Sequence, residues 1–280
     1  MTNIHNNTVL YVLSTPIGNL KDITLRAIEI LKEAEVVFCE DTRKTAILLR
    51  HYDLGNKKLL VINKDSTNKD FAKAIKILEK QSAVIVSDSG TPNLSDPASP
   101  LIQLCYDNNI EVIPIPGASS VTAFIASFPF DGKFCFYGFV DKINSQIPEI
   151  INLGNFIKMP VIIFVSPSKT IKIFEYLNSL VPDCKIYLSK ELTKLNEFKK
   201  IFKVSDWKDL LEIPGFLLDK GEYCLALEFP KIIYNEEEII AFIKENDSFK
   251  TKDLAKLVSA KFDIESTTAY TMILEYKNGL

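Results

Sequence analysis

The sequence predicts an α/β protein of two α/β domains, the first on a parallel sheet and the second on a mixed one, followed by a short helical appendage. Three observations carry that prediction. Up to residue 115, short apolar runs alternate with helical patterns, the mark of a parallel sheet covered on both faces. After Ser127 the texture changes, beginning with an aromatic-rich run from Phe134 to Phe139. From Asn235 to Leu280 the chain is charged and helical. The expected domains are therefore 1–115, 116–232 and 233–280, with the first boundary near Pro114 to Ala118.

Val9 to Leu13 is the first strand, apolar and β-prone, and it gives way to the turn-rich loop Ser14 to Leu20. A helix follows, with Asp22 or Thr24 as its cap and Ile23, Ala27, Ile30 and Leu31 near one face. Val36 to Cys39 is a second strand, ending in Glu40-Asp41-Thr42-Arg43. Thr45 to His51 reads as a helix stopped by Gly55-Asn56. Leu59 to Ile62 is a strand and Phe71 to Lys80 an amphipathic helix.

The next stretch organises the chain. Ala83 to Val86 is apolar and breaks into Ser87-Asp88-Ser89-Gly90-Thr91-Pro92-Asn93-Leu94-Ser95-Asp96-Pro97. A helix from about Pro100 to Asp107 leads to a strand, Ile110 to Ile115, then Pro116-Gly117-Ala118-Ser119-Ser120 and another helix. Parallel strands of such a unit put both polar loops at their carboxyl ends, where open α/β sheets bind ligands.

In the second part, Phe134 to Phe139 is a strand, Asp141 to Gln146 a polar connection, and Ile147 to Leu153 a helix. Val161 to Val165, Lys185 to Ser189 and Tyr223 to Glu228 are further strands, and Thr170 to Leu180 a helix. Phe249 to Phe262 suggests a small helical unit.

Composition narrows the class. A formal net charge of -3 argues against a strongly basic nucleic-acid coat while leaving room for a local basic patch on RNA. DNA and membrane partners are not expected. Five scattered cysteines without a CxxC pair argue against a disulfide framework or a zinc site and point to a reducing cytoplasm. No apolar segment approaches the length of a membrane span. With two histidines, His5 and His51, neither a Ser-His-Asp triad nor a His-rich metal site has support, so no metal is expected.

Each polar loop has two readings. Ser14 to Leu20 is an ordinary strand-helix turn or a cradle of backbone N–H groups, and it lacks both the G-x-G-x-x-G and the P-loop patterns. Asp88 at a strand end can accept from a ribose diol or an ammonium group, whereas Asp96 also reads as a cap for the helix beginning near Pro97. Pro116 to Ser120 offers small side chains beside a helix start, as ligand contacts or as caps. Arg43 can clamp a phosphate with Asp41 as base or orienter, or the two form a local ion pair. Lys190, Lys194, Lys199, Lys200 and Lys203, interleaved with Phe198 and Phe202, read as a solvated helix face or as an RNA surface with stacking rings.

Taken together these blocks resemble the tetrapyrrole-methylase superfamily and, within it, the bacterial branch that methylates small-subunit ribosomal RNA. The resemblance rests on Ser14-Thr15-Pro16-Ile17-Gly18-Asn19-Leu20-Lys21-Asp22-Ile23-Thr24, Glu40-Asp41-Thr42-Arg43, Ser87 to Pro92 with Ser95-Asp96-Pro97, and Pro116 to Ser120. Glu191-Leu192-Thr193-Lys194 and Lys220-Gly221-Glu222 extend it more weakly. It implies S-adenosyl-L-methionine in a cleft between the two α/β domains, a homodimer, and 2′-O-methylation of a cytidine ribose in the decoding centre of 16S rRNA in the 30S subunit. It also implies that Pro16, Asp88, Ser89, Gly90, Asp96, Ala118, Ser119 and Ser120 shape the cofactor pocket, and that Glu40, Asp41 and Arg43 face the RNA as the catalytic group.

The chain departs from the family pattern at Asn93 and Ala98, where relatives usually carry Gly. It also departs at Val165 to Lys169, where they tend to have Glu-Ser-Pro-His-Arg, and at Lys64 to Thr67, which replaces a segment with His and Glu. Two rivals share the scaffold: a methyltransferase of a small tetrapyrrole-like molecule, marked by apolar cleft walls, and a non-catalytic ribosome-binding relative, marked by loss of cofactor binding.

Overall fold

In the computed structural model, residues 8–217, 220–230, 236–262 and 264–278 are described. Two compact units divide the chain, Met1–Phe229 and Pro230–Leu280.

The first unit opens with β1 (Val9–Leu13), α1 (Leu25–Glu33), β2 (Val36–Cys39), α2 (Thr42–His51), β3 (Lys58–Val61), α3 (Asn68–Leu78), β4 (Ala83–Val86), α4 (Ser99–Asp107) and β5 (Glu111–Ile115). Its five strands form a wholly parallel sheet in the order β3-β2-β4-β1-β5. β1, β2 and β4 are apolar nearly throughout because helices cover both faces. Leu10, Phe38 and Ile85 pack with α3 and α4, while Leu13, Val37, Val84 and Val86 pack with α1 and α2. Thr24 caps α1, its Oγ1 accepting the Ala27 N–H at 3.1 Å.

The order has one consequence for function. β1 lies between β4 and β5, and β2 lies beyond β4, so four loops far apart in sequence leave the same edge side by side. From β1 the chain moves out to β3 on one side and then back through β4 to β5 on the other, and open sheets bind ligands where the strand order reverses in this way.

α5 (Ser120–Ala126) leads to the second sheet. That sheet comprises β6 (Cys135–Phe139), β7 (Val161–Val165), β8 (Lys185–Lys190), β9 (Phe198–Lys203) and β10 (Tyr223–Glu228), ordered β6-β7-β10-β8-β9. β6 and β7 run parallel and the rest antiparallel, so the sheet is mixed as expected. α6 (Ile143–Ile157) and α7 (Pro167–Leu180) cover one face, around Ile147, Ile163, Phe174 and Leu188. The opposite face receives Val121 and Phe124 of α5 and Ile17 from the loop after β1, which join Ile162, Tyr187, Cys224 and Ala226 in one cluster.

Three expectations need correction. The segment read as a helix face is β9, an edge strand. Its burial alternates from Phe198 to Lys203, the period of a strand. Phe202 is buried in the core and Phe198 packs against it, so the rings do not serve as stacking platforms. Lys190 is buried, with its ammonium donating to the Gly215 carbonyl, and does not contribute to a basic surface. The polar connection from Asp141 is mostly helix, because α6 begins at Ile143 and carries Pro148 within it.

The second unit contains α8 (Glu236–Glu245), α9 (Thr251–Phe262) and α10 (Ser266–Asn278), packed around Ile243, Leu254, Val258 and Ile273. Among the described residues no helix is long and apolar enough to cross a membrane.

Candidate functional site

The loops after β1, β2, β4 and β5 are tied to one another by hydrogen bonds at the carboxyl edge. Thr15 and Gly90 exchange backbone bonds, the Thr15 N–H to the Gly90 carbonyl at 2.8 Å and the Gly90 N–H to the Thr15 carbonyl at 3.1 Å. Gly90 sits at φ 84°, a conformation that favours glycine. Ser14 Oγ lies 2.9 Å from Thr91 Oγ1, which in turn donates to the Ala118 carbonyl at 3.1 Å. Where Ser14 passes Gly117, a Cβ on the glycine would stand 2.9 Å from the serine Cβ. Only a residue without a side chain lets these loops approach so closely.

Glu40 and Asp88 bind the loops after β2 and β4 reciprocally. The Asp88 N–H donates to Glu40 Oε1 at 2.9 Å, and the Asp41 N–H donates to Asp88 Oδ1 at 3.1 Å. Asp88 Oδ2 also pairs with Lys44 at 3.0 Å. Asp41 caps α2, accepting the Arg43 N–H at 2.8 Å, and its carboxylate holds the guanidinium through Nε and Nη2. The local ion pair is therefore formed, and Arg43 remains largely exposed.

These contacts set the carboxyls apart chemically. The Arg43 guanidinium and N–H hold Asp41 down at about 2. Burial raises Glu40 above the ordinary carboxylate range, against the Asp88 N–H bond that lowers it. Burial raises Asp96 to about 6, helped by the charges of Glu40 and Asp88 and opposed by a hydrogen bond with Ser87. Asp96 does not cap α4: the cap position is Ala98, and no side chain accepts there. It belongs instead with Glu40 and Asp88, in a group of acids suited to cations or hydroxyls.

Of the residues singled out in the sequence, Pro16, Asp88, Ser89, Gly90, Asp96, Ala118, Ser119, Ser120, Glu40, Asp41 and Arg43 all lie on loops or helix starts at this edge. Ser119 occupies the cap position of α5, but its hydroxyl makes no capping bond. Glu40 stands with Asp88 and Asp96 rather than apart from them. Sequence reasoning passed over Lys44, and it placed Thr91 and Gly117 in the polar loops without a role of their own. Lys44 had a signal, lying four residues after Glu40 at a helix start.

Two departures from the family pattern have local explanations. Asn93 adopts φ 70°, the left-handed conformation that asparagine tolerates best after glycine. Ala98 is right-handed and buried against the core, where its methyl is accommodated.

The loop after β1 also docks on the second sheet. The Asn19 N–H donates to Thr193 Oγ1 at 3.2 Å. A Cβ on Gly18 would stand 2.5 Å from Lys194 Cγ, 2.6 Å from Thr193 Oγ1 and 2.9 Å from the Leu192 carbonyl. That turn is itself constrained: Glu191 and Thr193 are left-handed, and Glu191 Oε1 accepts from the Glu222 N–H at 2.8 Å and from Lys194 at 3.1 Å. Thus the two weaker sequence blocks, Glu191 to Lys194 and Lys220 to Glu222, form one support beneath the loop. Gly18→Val is expected to cost about 1–3 kcal/mol, as overpacking does. Thermal unfolding checks this, and an unchanged midpoint would mean that the loop moves aside freely.

Residues 9–198 match the family model described as Tetrapyrrole (Corrin/Porphyrin) Methylases. A ribosomal RNA small subunit methyltransferase I of Mesomycoplasma conjunctivae is 35% identical over 219 residues, 78% of this chain and 90% of the relative. A protein of the same name from Borrelia garinii is 37% identical over 225 residues, 78% of this chain and 98% of the relative. The fold also resembles uroporphyrin-III C-methyltransferase of Thermus thermophilus complexed with S-adenyl homocysteine. There the TM-score is 0.54 at 15% identity, over 78% of this chain and 96% of that structure. The chain thus belongs to the tetrapyrrole methylase family and, within it, to the group of ribosomal RNA small subunit methyltransferases I.

Proposed function

We propose that this protein transfers a methyl group from S-adenosyl-L-methionine to the 2′-hydroxyl of a cytidine ribose in the decoding centre of 16S rRNA, acting on the 30S subunit in the cytoplasm as a homodimer. The observation that carries the reading is the likeness, over more than three quarters of the chain, to proteins named ribosomal RNA small subunit methyltransferase I, joined to a carboxyl edge where four polar loops meet.

The residues present suit the donor. Gly90, Ala118 and Ser119 leave little side-chain bulk, and the close passage of Gly117 by Ser14 keeps the loops thin. Glu40, Asp88 and Asp96 offer carboxylates to a ligand carrying a sulfonium, an ammonium and a ribose diol. When bound, S-adenosylmethionine supplies an already activated methyl group, so the chain contributes mainly position. The lock between Glu40 and Asp88 fixes the loops after β2 and β4, which keeps the pocket acids beside the entry of α2. Of the two acids in the Glu40-Asp41-Thr42-Arg43 block, Glu40 is the more basic, because burial raises it while Arg43 holds Asp41 ionised. A proton leaving the substrate hydroxyl is therefore assigned to Glu40.

Arg43 stands exposed at this entry, where its fork suits a phosphate of the incoming RNA. Arg43→Ala is expected to lower methylation about tenfold or more, the loss of one charge-assisted contact, while leaving donor affinity unchanged. Parallel assays of methyl transfer and calorimetry check this. Loss of both together would assign Arg43 to supporting the loop through Asp41.

The reading as a whole is tested by tritiated-methyl transfer to 30S subunits from a strain lacking the modification, followed by mapping of the labelled nucleotide. Label on a 16S rRNA cytidine ribose supports it. Donor binding without transfer to 30S would turn the assignment toward another substrate.

A further inference from the structure

At the amino-terminal edge of the parallel sheet, opposite the loops described above, lies a cavity of about 520 Å³ lined by Lys58, Lys73, Lys76 and Lys80 with Glu35 and Ile77 among its other walls. Lys58 begins β3; Lys73 and Lys76 lie one turn apart on α3, and Lys80 follows its end. All four are exposed, and none has an ion-pair partner among the described residues. Lys73 acts on Asp70, but that carboxylate is already engaged by the Thr67 N–H at 2.8 Å. Glu35 is the one acid in the lining, so the walls carry four ammonium groups against one carboxylate. In a chain with a net charge of -3, this concentration of unneutralised cations opposes the overall balance. Like charges gathered on a helix face repel and weaken the fold unless an anion joins them.

We infer that this cavity is a docking site for the sugar–phosphate backbone of an RNA strand, an inference that rests on the RNA substrate proposed above. Lysines are mobile point charges suited to successive phosphates rather than to one planar group. Their spread over a strand start and a helix face fits a polymer better than one small anion. The apolar side chain of Ile77 offers a surface to ribose. Position supports the same occupant. β2 begins in the cavity wall at Val36 and ends at Cys39, next to Glu40. The three steps from Val36 to Cys39 span about 10 Å, so the cavity wall and Glu40 are separated by the length of one short strand. One folded RNA can thus reach both edges, with the cavity setting register and the carboxyl edge meeting the target ribose. Such phosphate contacts position a nucleic acid without reading its sequence.

The test is binding of the full chain to 30S subunits and to a labelled 16S rRNA fragment, measured against salt, for the parent, for each single Lys→Gln variant and for the quadruple variant. Each single change is expected to lower the slope of log affinity on log salt by about 0.7–0.9, and the quadruple change by about 3. Thermal midpoints and donor affinity should match the parent's. Should the quadruple variant not fold, the single variants decide. RNA binding with an unchanged slope in the variants would overturn the cavity assignment alone. Competition by a mononucleotide at concentrations that saturate the site would overturn the polymer as occupant. A parent chain that binds the methyl donor but no RNA would overturn both this site and the RNA substrate.

Discussion

Asp88→Ala is expected to weaken binding of S-adenosylmethionine by roughly 10- to 100-fold, measured by calorimetry at neutral pH, the range for losing one or two hydrogen bonds to a charged group. Asp88 accepts from the Asp41 N–H at 3.1 Å and pairs with Lys44 at 3.0 Å, while its own N–H is held by Glu40. Alanine keeps the last contact and removes the first two. The Asp41 N–H then loses its partner, Lys44 loses its counter-charge, and the loop after β2 is tied to that after β4 from one side only. Asp88→Asn separates the two contributions, since it retains an acceptor for the N–H without the charge. An asparagine variant close to the parent would assign the effect to loop geometry. One as weak as alanine would assign it to charge. Unchanged affinity in both would remove Asp88 from the site.

Much of this site was legible before the fold was known, and the reason is local. Buried parallel strands must be apolar throughout, and their ends must break into turn residues, so Val9–Leu13 and Ala83–Val86 mark themselves and the loops that follow them. What the chain alone could not tell is which loops touch. The bonds of Thr15 with Gly90 and of Glu40 with Asp88 depend on the sheet order, which sets β4 between β1 and β2. No local pattern encodes that order. β9 was misread because an edge strand exposes alternate lysines, and Lys199 and Lys200 in succession look like a helix surface. Lys190 was misread because burial of a cation depends on a carbonyl twenty-five residues away. Asp96 was ambiguous because a carboxyl shortly before a helix suits a cap as well as a pocket, and its neighbours Glu40 and Ser87 come from two other points of the chain. Asn93 is the opposite case. It looked like a defect in the family pattern, yet φ 70° is a conformation that asparagine adopts in place of glycine.

The neighbours of Asp96 lead to the second large effect, a dependence of stability and donor affinity on pH near 6. Its carboxyl titrates at about 6 in the folded chain against an ordinary 3.8, chiefly through burial and then through the charges of Glu40 and Asp88. A folded-state acid that is raised binds protons more readily than the unfolded chain does between those two values. Stability therefore falls as pH rises from about 4 to 6, by up to ~3 kcal/mol from this group, and is flat above. Asp96→Asn is expected to recover much of that loss at pH 7 and to flatten the profile, which denaturant unfolding at a series of pH values measures. Binding has the opposite sign. The ionised carboxylate favours a cationic donor, so affinity should decline as pH falls through 6, and the asparagine variant should bind weakly at every pH with little slope. The two readouts thus move in opposite directions in one variant, more stable and weaker binding. That combination is the signature of a charge kept at a structural cost for a ligand. A variant that was less stable and lost affinity together would make Asp96 a structural residue of the loop instead.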